Sequence, residues 1–165
     1  MNEIAVVKIG MADLNVGRAG EKLRTTGLGS CVGLTLYDPA AKIGGMAHVM
    51  LPSSSISRDA QLNRAKYADT AIPELVRKME EAGAKLTRLT AKLAGGAQMF
   101  LAAAPLAESM RIGPRNVEAC KEALMSFNIP IEAEDTGGNY GRTIELDCST
   151  GALLVRSVQA GEKEL

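Results

Sequence analysis

The alternation of apolar and polar positions divides the chain into short strands and two longer helical stretches. Residues 3–9 form a first run rich in β-branched side chains; glycines and Asn15 then mark a loop before a short run at 23–26. Residues 31–37 alternate well, with Val32, Leu34 and Leu36 on one face and Cys31 on the other. Asp38-Pro39-Ala40-Ala41 reads as a turn, and 43–51 as the returning strand. Between 59 and 82, Ala65, Ala68, Ile72, Leu75, Val76 and Met79 recur at helical spacing; Pro73 predicts a kink or two consecutive helices, and Gly83 the end. A second helix opens near Pro114, carries Val117, Cys120, Leu124 and Phe127 as its apolar stripe, and stops before Pro130. Further strands are expected at 85–93, 131–134, 142–147 and 152–158, the last two joined by a hairpin at Cys148-Ser149-Thr150-Gly151. Strand runs with two or three helices between them predict an α+β fold on mainly antiparallel sheets. Residues 1–165 read as a single domain, because no repeat or low-complexity linker divides them.

Composition narrows the function classes. At 165 residues, with 46% hydrophobic and 23% charged, the chain can bury a real core. Lys plus Arg and Asp plus Glu balance at 19 each, and two Phe, three Tyr and no Trp leave few stacking platforms, so nucleic acid is not an expected partner. Glu3 stands where a signal peptide would be basic and Lys8 cuts the apolar run short; neither export nor membrane insertion is predicted. Three scattered cysteines suggest no disulfide framework, which fits the cytoplasm. With one histidine, no metal-ligand cluster is read from the sequence, and no cofactor is expected.

The three cysteines differ in setting. Cys120 lies on an apolar helical stripe and Cys148 shares parity with Ile144 and Leu146, so both read as small buried hydrophobes. Cys31 sits on the face that Val32, Leu34 and Leu36 leave free, after Gly27-Leu28-Gly29-Ser30, whose small residues leave backbone N–H groups accessible. Gly29 and Ser30 are therefore candidates for an oxyanion loop, with the N–H groups near Ser30 and Cys31 as donors. The turn supplies a geometric test. If Pro39 and Ala40 form a two-residue loop, Asp38 pairs with Ala41 and Cys31 stands opposite His48, the chain's sole histidine, with Cβ atoms ~5 Å apart. A four-residue loop makes them diagonal neighbours on one face, and a three-residue loop puts them on opposite faces. Side by side, the imidazole would take the thiol proton and return it to a leaving amine, as a thiol amidohydrolase requires. Thr25 or Thr26 could orient the ring; the bland role of either is strand propensity.

Other motifs carry less. Gly27-x-Gly29 lacks the third glycine of a dinucleotide fingerprint, because Val32 stands there and a strand follows. Asp135-Thr136-Gly137 matches the aspartic-protease tripeptide, but one copy needs a homodimer to supply its second carboxylate, and a turn is the plainer reading.

Gly27-Leu28-Gly29-Ser30-Cys31-Val32, Ala47-His48-Val49-Met50-Leu51-Pro52 and Lys66-Tyr67-Ala68-Asp69 resemble the CheD family of chemoreceptor glutamine deamidases. Lys92-Leu93-Ala94-Gly95-Gly96-Ala97, Ile112-Gly113-Pro114-Arg115-Asn116 and Glu134-Asp135-Thr136-Gly137-Gly138 extend the likeness, in order, over nearly the whole chain. Arg142-Thr143-Ile144-Glu145 points to a Bacillus-type chemotaxis system. The resemblance implies an α/β/β layered sandwich, like the catalytic domain of cytotoxic necrotizing factor toxins. It implies hydrolysis of receptor glutamines to glutamates by a Cys-His-Thr triad that maps onto Cys31, His48 and Thr25. The cytoplasmic helices of methyl-accepting receptors are the implied substrate. The phosphatase CheC is the implied partner, bound and stimulated by the family, and a mainly regulatory role on CheC is the alternative. Similar chemistry would allow methylesterase activity.

Overall fold

The computed structural model describes residues 4–58, 60–99 and 111–165. Among these, ten strands form two five-stranded sheets, accompanied by two helices. The first sheet has the order β1 (Ala5–Lys8), β3 (Glu21–Leu28), β8 (Arg142–Asp147), β9 (Leu153–Ser157), β10 (Gly161–Glu164). The second runs β2 (Leu14–Arg18), β5 (Ile43–Val49), β4 (Val32–Asp38), β6 (Thr90–Gly95), β7 (Ile131–Thr136). Helix α1 (Ala68–Ala82) packs on β5 and β2, and α2 (Ile112–Ser126) packs on α1, β4 and β6. The order helix, sheet, sheet is the expected α+β layered sandwich. Pairing is antiparallel except for β1 with β3 and β6 with β7.

The second sheet is the middle layer, so β4 and β5 are buried at every position on both faces. Val32, Leu34, Leu36, Ala47 and Val49 face the helices, joining Ile72, Leu75, Val76 and Met79 of α1. Cys31 and Met46 face the first sheet, joining Leu23, Leu28, Ile144 and Leu146. Close approach of the two sheets demands glycine: a Cβ at Gly33 would lie 2.4 Å from the Ile144 side chain.

The β4–β5 turn is the four-residue alternative. Asp38 pairs with Ile43 rather than Ala41, leaving a four-residue loop, so every pairing slips by two. The buried Asp38 carboxylate accepts from the Ala40 and Ala41 N–H groups at 3.0 and 3.1 Å and withdraws them from the ladder. Lys42 closes the turn at φ 52°. A two-residue hairpin needs φ above zero at its first central position, and the ring of Pro39 forbids that. Asp38 also accepts from the Lys85 N–H at 2.9 Å and from Arg88 Nη2 at 2.8 Å. Burial by itself would raise this carboxyl; the Arg88 guanidinium with the Lys85 and Ala41 N–H groups outweighs burial and holds it at about 2.

Three expectations change. Helix α1 starts at Ala68 and runs unbroken through Pro73, because the Ala68 N–H bonds the Leu51 carbonyl and 66–67 zip onto 50–51 instead of coiling. Residues 14–18, read as loop, form the edge strand β2 on β5, and β10 adds an edge to the first sheet. Of the strand expected at 85–93, the first residues form a short 3-10 turn at Leu86–Arg88. Asp59, where the first helix was expected to begin, lies outside the described residues.

Candidate active site

Thr25 comes from the first sheet, Cys31 from the residue just before the central strand β4 and His48 from β5 of the second, and all three face the layer between. Along β3 the inward positions are Leu23 and Thr25, at 0% and 1% exposure, whereas Thr26 points to solvent. Past Thr25 the pairing of β3 with β8 shifts before Leu28, and Gly27 takes φ 72°. This bulge bends the chain toward Gly29, Ser30 and Cys31. His48 is fully buried and pairs with Gly33 on β4. Cys31, two residues before Gly33, is thus its diagonal neighbour on the same face, as the four-residue loop requires. Such diagonal positions lie about 7 Å apart, within reach of an imidazole.

The hydrogen bonds assign the tautomer of His48. The Thr25 hydroxyl donates to the Ile9 carbonyl at 2.7 Å and lies 2.7 Å from His48 Nδ1. A hydroxyl has one proton, and that proton is committed to Ile9, so Thr25 accepts from an Nδ1–H. The lone pair of the neutral ring then sits on Nε2, which is buried and has no hydrogen-bond partner among the described residues. Burial lowers the His48 pKa below its ordinary 6.5 and keeps the ring neutral. Burial also raises the Cys31 thiol, an effect partly offset by its own N–H, which lies against the sulfur. At rest the thiol and the imidazole are therefore both neutral. Cys31 retains 8% exposure. Cys120 and Cys148 are buried in the two cores, and burial pushes each thiol up to about 12.

The approach to Cys31 is held at three successive carbonyls. Ala97 N–H donates to Gly29 at 2.9 Å, Asn116 Nδ2 to Ser30 at 3.0 Å, and Gly96 N–H to Cys31 at 2.8 Å. Asn116 Nδ2 also reaches the Met50 carbonyl at 2.9 Å, tying the exit of β5 to the same loop. Among the described residues, neither the Ser30 nor the Cys31 N–H donates to a main-chain carbonyl; the Cys31 N–H lies against its own sulfur. Met99, 45% exposed, packs against Gly29.

Sequence reasoning did not assign roles to the Ile9 carbonyl or to Asn116. A main-chain acceptor carries no residue signature. Asn116 did leave one: with Cys120 and Leu124 it stands at i, i+4, i+8, a polar residue on the buried stripe of α2. Asp135, of the protease-like tripeptide, is paired with Arg142 at 3.2 Å and Lys163 at 3.1 Å, away from a carboxylate dyad.

Among the described residues, no helix is long and apolar enough to cross a membrane. A family model described as CheD chemotactic sensory transduction matches residues 50–157. The chain is 56% identical over 160 residues to a chemoreceptor glutamine deamidase CheD of Halalkalibacterium halodurans, covering 97% of this chain and 98% of that one. It is 51% identical over 163 residues to the protein of the same name from Bacillus subtilis, covering 99% and 98%. A probable chemoreceptor glutamine deamidase CheD of Lachnoclostridium phytofermentans is 51% identical over 160 residues, covering 97% and 98%. On the family model and on these near-full-length identities, the chain belongs to the CheD family.

Proposed function

We propose that this chain hydrolyses the side-chain amide of selected glutamines on the cytoplasmic helices of chemoreceptors, with Cys31 as nucleophile, His48 as base and Thr25 as the group that orients it. The observation that carries the reading is the chain from the Ile9 carbonyl through the Thr25 hydroxyl to His48 Nδ1, which leaves the Nε2 lone pair unpartnered among the described residues while Cys31 stands diagonally across from His48. The names of the relatives, chemoreceptor glutamine deamidase, supply the substrate class.

The steps follow from the proton inventory. Nε2 takes the Cys31 thiol proton as sulfur attacks the carboxamide carbon, and the carbonyl oxygen becomes an oxyanion facing the Ser30 and Cys31 N–H groups. Thr25 stabilises the imidazolium by accepting from Nδ1–H. The ring then passes its proton to the departing nitrogen; ammonia leaves and a thioester remains. Neutral again, Nε2 deprotonates water, which attacks the thioester and returns the thiol with a glutamate side chain. A methyl ester would enter the same thioester with methanol as leaving group.

The test is mass spectrometry of receptor cytoplasmic fragments incubated with the protein. The wild type should convert specific glutamines to glutamates and Cys31→Ala should convert none; conversion that persists in the variant sinks the reading. The resemblance also supports binding and stimulation of CheC. A chain acting mainly in that way would stimulate the phosphatase fully as Cys31→Ala and deamidate nothing as wild type.

A further inference from the structure

We infer that Asn116 is a positioning residue for catalysis: by holding the Ser30 carbonyl it aims the Cys31 N–H at the oxyanion. The inference rests on the deamidase reading above.

The Ser30 C=O and the Cys31 N–H belong to one trans peptide unit, so they point in opposite directions and turn together. Fixing either fixes the other. The flanking carbonyls, Gly29 and Cys31, are tied by main-chain donors of 96–97, which continue the β4–β6 ladder. The Ser30 carbonyl points away from that ladder and toward α2, where no main-chain donor is in register. Asn116 Nδ2 supplies the missing donor at 3.0 Å and spends its second proton on Met50 at 2.9 Å. Both neighbours are carbonyl oxygens, so the amide nitrogen must face them.

The position is specific to a purpose beyond helix packing. Asn116 is fully buried and its Oδ1 has no partner among the described residues, an arrangement that costs stability where an apolar side chain would pack freely. Helix α2 reaches this close because Gly113 lacks a side chain: a Cβ there would lie 2.1 Å from the Ala97 carbonyl oxygen. The glycine loop before Cys31 is flexible by composition, and without Asn116 its central peptide would be free to rotate. Rotation would move the oxyanion donor and leave the sulfur and imidazole where they are.

That separation gives the experiment. Asn116→Ala and the isosteric Asn116→Leu are compared with wild type in two reactions of Cys31: deamidation of a receptor cytoplasmic fragment, and alkylation by iodoacetamide, which passes through no oxyanion. Cys120→Ala, a cavity in the same helix, controls for lost stability. Both Asn116 variants should lose about 10²-fold in kcat, the cost of one oxyanion donor, with KM within about twofold. Alkylation of Cys31 should stay near the wild-type rate, and Cys120→Ala should deamidate normally. Unchanged kcat overturns the inference, as does an equal loss in alkylation and deamidation, or failure of both variants to fold. If wild type alkylates but does not deamidate, the deamidase reading falls and this inference with it; if wild type deamidates and the variants match it, this inference alone falls.

Discussion

The two faces of the β4–β5 pair share one hydrogen-bond ladder and differ in what they carry. Toward the helices stand Val32, Leu34, Leu36, Ala47 and Val49, fully buried and without a polar atom. Toward the first sheet stand Gly33, Thr35, Tyr37 and His48, and each of the three polar side chains meets a set partner, with His48 Nε2 left open among the described residues. Thr35 donates to the Lys92 carbonyl at 3.1 Å, Tyr37 to the Cys148 carbonyl at 2.9 Å, and His48 Nδ1 meets Thr25. A helix presents its own backbone groups already spent, so the face it covers can only be filled. The end of a facing strand, with a bulge and a free carbonyl such as Ile9, offers acceptors at fixed positions. One face therefore stores stability and the other can hold a reactive pair, and substitutions should separate the two.

The largest effect is expected at His48. His48→Gln keeps a buried polar side chain and removes what the proposed mechanism uses as the base, so deamidation kcat should fall about 10³-fold. In wild type the rate should rise with pH with a midpoint below 6.5, because burial lowers the His48 pKa and the neutral ring is the active form. A midpoint above 6.5 would contradict that setting. Next comes the helix-covered face: Leu34→Ala should cost about 3 kcal/mol in denaturant unfolding and leave kcat of the folded protein within about twofold.

Asp38→Asn should cost about 2 kcal/mol, since it keeps the turn's shape and weakens the bonds to Arg88 and Lys85. It also has a pH signature. The wild-type carboxyl is held at about 2 against an ordinary 3.8, so its stabilisation is complete above pH 4 and drains away as pH falls toward 2. Unfolding free energies measured from pH 5 to 2 should converge for wild type and variant at the acid end. The smallest effect is at Thr25: Thr25→Val should lower kcat about tenfold while Thr25→Ser stays near wild type, because in the proposed mechanism the hydroxyl orients the ring and the ring performs the chemistry. Equal losses in both variants would show that the methyl group matters, not the hydroxyl.

Much of the site was legible along the chain. The parity of 31–37 separates Cys31 from Val32, Leu34 and Leu36, and the single histidine is the one imidazole the sequence offers it. The turn length was legible too: Pro39 cannot take the first central position of a two-residue hairpin, and Asp38 before it is suited to cap a longer loop. Cys31 and His48 stay on one face because a slip of two preserves parity. The edge strand β2 was not legible, since Asn15 and Gly17 give it the composition of a loop and its order comes from β5 beside it. The unbroken run of α1 through Pro73 owes the same debt to tertiary contacts: its buried face of Ala71, Ile72, Leu75 and Val76 outweighs one missing hydrogen bond.

The sequence by itself determined the α+β class, the face on which Cys31 lies and the presence of a single histidine on the returning strand, and close family likeness added Thr25 as an expectation. These follow from periods of two and 3.6 residues and from short-range turn chemistry, which act within one element or between adjacent ones. Tertiary structure alone decided that Thr25 gives its proton to Ile9, that His48 is thereby left with a free Nε2, and that Asn116 holds the peptide before Cys31. Those contacts join residues 16, 23 and 86 positions apart. Their partners are set by how two sheets and a helix stack, and a main-chain carbonyl looks the same at every position of a sequence.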